Sequence, residues 1–373
     1  MRFTNTQVFT PAGFVYGGFE VEDGRFAAVF AGERSDGTDL EGAAVIPGLV
    51  DIHTHGAAGA DFSDASLEGL TRMASHLARR GVTSFLPTSM TLPFERLAAA
   101  FETAAVLNKA RPADCARVMG IHMEGPFFSE KRKGAQNAAY LRLPDPDAFR
   151  RLREGCGGLV RIVDLAPELT GSLAFTEDAK QVCTVSVAHT DADYETAKAV
   201  FAAGARHLTH LFNAMPPIRH REPGVIGAAS EREDVTAELI CDGLHVHPSA
   251  VRMAFRLFPG RICLISDSLR CCGMPDGDYE LGGQQVHLSG GVARLADGTI
   301  AGAAADLYTD MLNAVRFGID REEAIRAATI RPAAVIGRAS EIGSIEVGKL
   351  ADFVVCGEDL RPQSVYINGF RIC

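Results

Sequence analysis

The sequence predicts an α/β protein: a (β/α)8 TIM-like barrel carrying a small β-sandwich domain formed from both chain termini. Three observations predict it. Residues 46–342 alternate short β-branched and apolar runs with helix-patterned segments. Residues 1–45 and 343–373 hold only short apolar runs broken by turn residues. Polar side chains suited to chemistry recur just past the apolar runs of the middle region, which is where such barrels place their active sites. The chain has 373 residues, 47% of them hydrophobic, so it can bury a large core.

At the N-terminal end, Val8-Phe9, Phe14-Val15-Tyr16, Phe19-Glu20-Val21 and the run 26–30 are separated by Gly17-Gly18 and Asp23-Gly24, which reads as antiparallel strands. The C-terminal end repeats the pattern: Phe353-Val354-Val355, Ser364-Val365-Tyr366-Ile367, a turn at Asn368-Gly369, then Phe370-Arg371-Ile372. Neither piece buries a core alone, so the two are expected to pair. In between, eight strands are expected at 45–52, 82–87, 117–123, 160–165, 184–188, 206–211, 236–241 and 261–266. Leu67, Leu70, Met73 and Leu77 share one helical face that Gly81 ends, and Asp320-Arg321-Glu322-Glu323 has the spacing of a helix cap. An open doubly wound sheet fits less well, because no Gly-rich phosphate loop follows the first strand. The stretch 276–297 reads as a β-hairpin inserted into the last unit.

The formal net charge of -10 argues against nucleic acid and anionic membranes as partners. An anionic ligand would need a local basic pocket. Nine cysteines without CxxC spacing, the vicinal pair Cys271-Cys272 among them, fit a reduced cytosol better than a disulfide scaffold. No apolar h-region follows the first residues and no apolar run is long enough to span a bilayer, so a soluble cytoplasmic protein is expected.

The expected strand ends carry the chemistry. His53 and His55 are two apart and so point to one side, as a chelating pair does. Glu124, His189 and His210 fall at the ends of the third, fifth and sixth strands. Three N/O ligands with an open position suit a catalytic zinc-type site, and His53 with His55 allows a second ion with Glu124 bridging. The absence of cysteine from this set favours Zn, Mn, Co or Fe over a thiolate cluster. Asp267 is the only carboxylate at the eighth strand end and is placed to act as general base. A lone histidine at a strand end is most often structural, and His76, His207 and His287 are left in that class. The force of the pattern is coincidence: His53, His55, Glu124, His189, His210 and Asp267 all fall at strand ends.

Ile46-Pro47-Gly48-Leu49-Val50-Asp51-Ile52-His53-Thr54-His55-Gly56 and Gly343-Ser344-Ile345-Glu346-Val347-Gly348-Lys349-Leu350-Ala351-Asp352 resemble the opening and closing motifs of the metal-dependent amidohydrolase superfamily. Within it, His122-Met123-Glu124-Gly125-Pro126-Phe127 with Lys133-Gly134-Ala135-Gln136, His210-Leu211-Phe212-Asn213-Ala214-Met215, and Arg221-Glu222-Pro223-Gly224 resemble the N-acetylglucosamine-6-phosphate deacetylase family. The resemblance implies a homodimer that hydrolyses the N-acetyl amide of a small amino-sugar 6-phosphate with one or two divalent ions, zinc foremost. It gives Glu124, His189 and His210 as principal ligands, His53 and His55 as a second-ion pair that only some members have, and Asp267 as catalytic acid/base. It gives Gln136, Asn213, Ala214, Arg221 and His245 as substrate contacts, the last two at the phosphate. Gln136 stands where some members have a histidine. Ile300-Ala301-Gly302-Ala303 departs from a Leu-Ala-Gly-Ser pattern, and Asp306 follows in a usually apolar stretch. Arg221 suits phosphate because its fork binds two oxygens. The competing readings are deacetylation of N-acetylgalactosamine 6-phosphate, hydrolysis of another N-acyl substrate, and a metal-bearing sugar-phosphate sensor without turnover.

Overall fold

The computed structural model describes residues 1–373. Eight parallel strands, each followed by a helix, make a barrel. They are Leu49–Thr54, Val82–Pro87, Ile121–Met123, Val160–Leu165, Thr184–Val187, His207–Leu208, Thr236–Ile240 and Ile262–Ile265. The helices that follow them are Leu67–Arg79, Phe94–Ala110, Pro146–Gly155, Ser172–Ala179, Tyr194–Ala203, Gly224–Ser230, Pro248–Leu257 and Leu307–Arg316. Thr54 bridges in parallel to Ser268, and Thr88 to His122, which closes the ring. At the seam the Asp267 N–H donates to His53 O at 2.9 Å. The expected helix over Leu67–Arg79 is present, with Ser66 Oγ accepting the Gly69 N–H. Asp320 caps Arg321–Ala328 in the same way.

Four expected elements come out differently. The strand expected at 117–123 splits into Arg117–Val118, which pairs with Val82–Pro87, and Ile121–Met123, which pairs with Val160–Leu165. The strand expected at 45–52 breaks at Gly48. Ala44–Pro47 pairs with Phe353–Cys356, and only Leu49–Thr54 enters the barrel. A Cβ on Gly48 would lie 2.2 Å from Thr83 Oγ1, so the chain crosses from sheet to barrel at a point that admits only glycine. The strand expected at 206–211 is only His207–Leu208, because the chain turns into left-handed backbone at His210. The expected hairpin at 276–297 is a three-stranded antiparallel meander, Gly277–Leu281, Gln284–Ser289 and Val292–Leu295.

The chain ends form one eight-stranded sheet. Arg2–Thr10, Gly13–Glu22, Arg25–Ala31, Thr38–Asp39 and Ala44–Pro47 join Phe353–Cys356, Pro362–Ile367 and Phe370–Arg371. The sheet curls until Arg25 pairs with Leu350, around an aromatic core of its own. In that core Phe353 lies 4.9 Å from Phe19 and stacks on Tyr366 at 4.4 Å. Half-buried Arg117 on the barrel side pairs with buried Asp352 on the sheet side. No helix is long and apolar enough to cross a membrane.

Candidate metal centre and active site

Barrel closure gathers six side chains at the C-terminal rim. His53 stands in the first strand and His55 just after it; Glu124, His189, His210 and Asp267 follow the third, fifth, sixth and eighth strands. His189, His210 and Asp267 have φ of 44°, 32° and 48°. Left-handed backbone at residues bearing a Cβ costs on the order of 1–3 kcal/mol and persists where the surroundings fix it. Here the surroundings are backbone hydrogen bonds: Ser129 N–H to His189 O, and Asp267 N–H to His53 O. Each strained turn swings its side chain over the barrel mouth.

Glu124 joins two groups of ligands. Its Oε1 lies 3.1 Å from His189 Nε2 and 3.2 Å from His210 Nε2, and those two nitrogens are 3.1 Å apart. Its Oε2 lies 3.4 Å from His55 Nε2, which is 3.4 Å from His53 Nε2. Asp267 Oδ1 faces the second group at 3.2 Å from His55 Nε2 and 3.5 Å from His53 Nε2. All six residues are buried; Asp267, 8% exposed, is the most open of them.

This donor set fits a divalent ion. His189 Nδ1–H donates to Arg132 O at 2.8 Å, and His55 Nδ1–H to Thr88 O at 3.1 Å. Because a carbonyl only accepts, each ring keeps a proton on Nδ1 and turns Nε2 inward as the nitrogen that would bind an ion. Two imidazole nitrogens 3.1 Å apart need a cation between them, either a proton or a metal ion. Glu124, His189 and His210 thus form one ligand group and His53, His55 and Glu124 a second.

The electrostatics follow. Burial opposes charge on His55 and His210, yet carboxylate neighbours outweigh it and raise both to about 9: Asp267 and Glu124 act on His55, and chiefly Glu124 on His210. Against the same burial, the histidines hold Glu124 well below the usual carboxylate range and hold Asp267 below it too. Asp267 is therefore a base at neutral pH. In metal-stripped protein a divalent ion must displace protons from His55 and His210. Zinc affinity is expected to climb about tenfold per pH unit for each proton displaced, and to level off above pH about 9. Zinc titrations from pH 6 to 8, in buffers of different ionisation enthalpy, read both the slope and the proton release; a flat affinity would contradict it.

The ligands floor a cavity of about 220 Å3. Gln136, Asn213, Ala214 and His245 line it, with Met90, Leu269, Leu281 and Ile300 as apolar wall. Leu281 comes from the meander. Gln136 Oε1 accepts the Thr91 N–H at 2.7 Å, so its Nε2 points at Glu124 Oε2, 2.6 Å away. His245 Nδ1–H donates to Asp242 Oδ2 at 2.7 Å, which leaves Nε2 free. Arg221 is not brought to the cavity wall. It is exposed on the loop after Pro216-Pro217 and forms no salt bridge. Asp306, unusual by sequence, caps the helix Leu307–Arg316 and pairs with Arg80 at 2.6 Å.

Beneath the rim is a fully buried polar layer of which the sequence reading placed only His207, as a structural residue. His53 Nδ1–H donates to Glu238 Oε2 at 2.9 Å; His122 bonds Asp164 at 2.9 Å; His207 bonds Glu238 at 3.2 Å. Asp51 accepts from Ser266 Oγ at 2.6 Å, and burial raises it to about 7. The available signal was a charged residue at the centre of an apolar strand, as in Thr236-Ala237-Glu238-Leu239-Ile240.

The amidohydrolase family model matches residues 44–371. The chain belongs to the amidohydrolase family. This amidohydrolase is 40% identical to the N-acetylglucosamine-6-phosphate deacetylase of Bacillus subtilis over 84% of its own length and 81% of the relative's. It is 36% identical to the N-acetylgalactosamine-6-phosphate deacetylase of Escherichia coli O157:H7 over 89% of its length and 88% of the relative's. Its structure superposes on the N-acetyl-D-glucosamine-6-phosphate deacetylase of Mycobacterium smegmatis, solved as a variant in complex with N-acetyl-D-glucosamine-6-phosphate. That match has a TM-score of 0.93 at 33% identity and covers 100% of this chain and 98% of the other.

Proposed function

We propose that this amidohydrolase hydrolyses the N-acetyl group of N-acetylglucosamine 6-phosphate, giving glucosamine 6-phosphate and acetate. The observation that carries the reading is the opposition, inside one cavity, of an ionised Asp267 and a Glu124–His189–His210 ligand group. The deacetylase relatives support the substrate class.

Glu124, His189 and His210 would hold one zinc ion and His53 with His55 a second. Bound there, the ion supplies Lewis acidity that polarises the acetyl carbonyl and makes water acidic enough to deprotonate near neutral pH. An amide is a poor electrophile with a poor leaving group, so the attacking water must lose a proton and the departing nitrogen must gain one. Asp267, held ionised, takes the proton of the attacking water and then gives it to the departing sugar nitrogen. Asn213 and Ala214 touch the sugar. Gln136 shares its amide between Glu124 and the acetyl group. His245 and Arg221 take the phosphate, with Arg221 reaching in from its exposed loop. The barrel, 46–342, carries the chemistry, and the sheet from 1–45 and 343–373 is its supporting β-sandwich domain. Nine unpaired cysteines support a reducing, cytoplasmic setting, and the family resemblance supports a homodimer.

The test is acetate release from N-acetylglucosamine 6-phosphate, its 4-epimer and the unphosphorylated sugar, using metal-stripped protein titrated with zinc. Turnover requiring both zinc and phosphate is the expected result. Preference for the epimer would assign the galacto substrate. Bound zinc with no turnover on any of the three would leave another N-acyl substrate or a sensor. In the same assay Arg221→Ala is expected to raise KM for the phosphorylated sugar about 10- to 100-fold, the worth of charged hydrogen bonds, and to leave the unphosphorylated sugar unaffected. Equal effects on both would remove Arg221 from the phosphate site.

A further inference from the structure

We infer that Glu238, at the centre of the seventh barrel strand, is a positioning residue that ties the two ligand groups of the metal centre together. Its side chain is fully buried. One oxygen, Oε2, accepts the backbone N–H of His210 at 3.2 Å and faces His53 Nδ1 at 2.9 Å. A carboxylate oxygen only accepts, and Oε2 takes the His210 N–H and faces His53 Nδ1 at once, so Nδ1 carries the proton. His53 Nε2 is left as a lone pair 3.4 Å from His55 Nε2 and 3.8 Å from Glu124 Oε1. The same oxygen anchors the left-handed turn, φ 32°, that presents His210 to Glu124. The second oxygen, Oε1, is occupied by His207 Nε2 at 3.2 Å, and His207 Nδ1 is in turn held by Thr236 Oγ1 at 2.6 Å. The carboxylate is clamped from behind. His53 belongs to one ligand group and His210 to the other, so a shift of Glu238 disturbs both at once.

The polar layer contains its own control. Asp164 is an equally buried carboxylate that bonds His122 at 2.9 Å, and His122 Nδ1–H donates to Ile52 O at 2.9 Å. Both His122 nitrogens are thus committed within the layer, and His122 presents none to the rim. If buried carboxylates here served only to hold the fold, Glu238→Gln and Asp164→Asn would act alike.

The inference rests on the proposed metal site but not on the substrate, so its test uses zinc alone. Zinc affinity is measured by competition with a chromophoric chelator for wild type, Glu238→Gln and Asp164→Asn, each with its melting temperature. Glu238→Gln is expected to bind zinc about 10- to 100-fold more weakly, the usual cost of losing a partner behind a metal ligand. Asp164→Asn is expected to keep wild-type affinity whatever its melting temperature. Equal affinity in wild type and Glu238→Gln, or equal losses in both variants, overturns the inference. Failure of wild type to bind zinc overturns the metal site as well. Histidine 15N spectra of wild type make the test independent of variant folding: the His53 ring must show Nδ1–H with zinc perturbing Nε2. The opposite tautomer, or no zinc-induced change, overturns the assignment.

Discussion

Asp267→Asn is expected to lower turnover on the acetylated sugar phosphate by about 100- to 10,000-fold, the range spanned by general acid–base catalysis, while zinc per chain stays at the wild-type value. The substitution keeps the shape of the side chain and removes its ability to hold a proton in transit. Asp267 Oδ1 lies 3.2 Å from His55 Nε2, whereas the Glu124–His189–His210 group contains no atom of Asp267. Metal counting on the assayed samples separates the two roles. Full activity would remove Asp267 from the mechanism; zinc lost in parallel with activity would make it a ligand instead. The expected loss should fall on kcat more than on KM, because the proton transfer is made only in the transition state.

Glu124→Gln is expected to abolish high-affinity zinc binding and with it more than about 100-fold of activity, beyond the cost of disturbing a partner behind a ligand. The reason lies in Gln136. Its NH2 donates to Glu124 Oε2 at 2.6 Å, and Thr91 N–H fixes that orientation. An amide at position 124 must then offer its carbonyl to Gln136 and turn its own NH2 towards His189 and His210. That NH2 donates to the nitrogens that should bind the ion. The charge that balances the histidines disappears as well. Thermal melting with and without zinc checks the prediction. A ligand bound only by the native state stabilises it by about 4 kcal/mol at 1,000 times its Kd, so wild type should melt higher in zinc and the variant should not. A variant with the wild-type zinc shift would show that the carboxylate is not a ligand.

The fold was legible because its signals are local. Alternating apolar runs and amphipathic segments announced eight strand–helix units, and Ser66, Asp320 and Gly81 marked helix ends by their own chemistry. What escaped was set by contact. Nothing between Val45 and Ile52 says that Pro47 belongs to one sheet and Leu49 to another; the collision of any Cβ at Gly48 with Thr83 says so. The sixth strand ends early because His210 turns to meet Glu124, a residue 86 positions away. The unusual Asp306 makes sense only beside Arg80.

The same division runs through the site. By itself the sequence determined which residues reach the barrel mouth, since strand ends in a closed parallel barrel share one rim. His53, His55, Glu124, His189, His210 and Asp267 could therefore be grouped without coordinates. The tertiary structure alone decided how they are joined: which oxygen of Glu124 faces which histidine, which ring nitrogen keeps its proton, and that Gln136 holds Glu124. It also revealed Glu238 and its buried partners, while leaving Arg221 out on an exposed loop. The physical reason is that ligand geometry and protonation depend on hydrogen bonds between side chains far apart in the chain. Those bonds have directions and distances that no local pattern carries, and they exist only once the barrel closes.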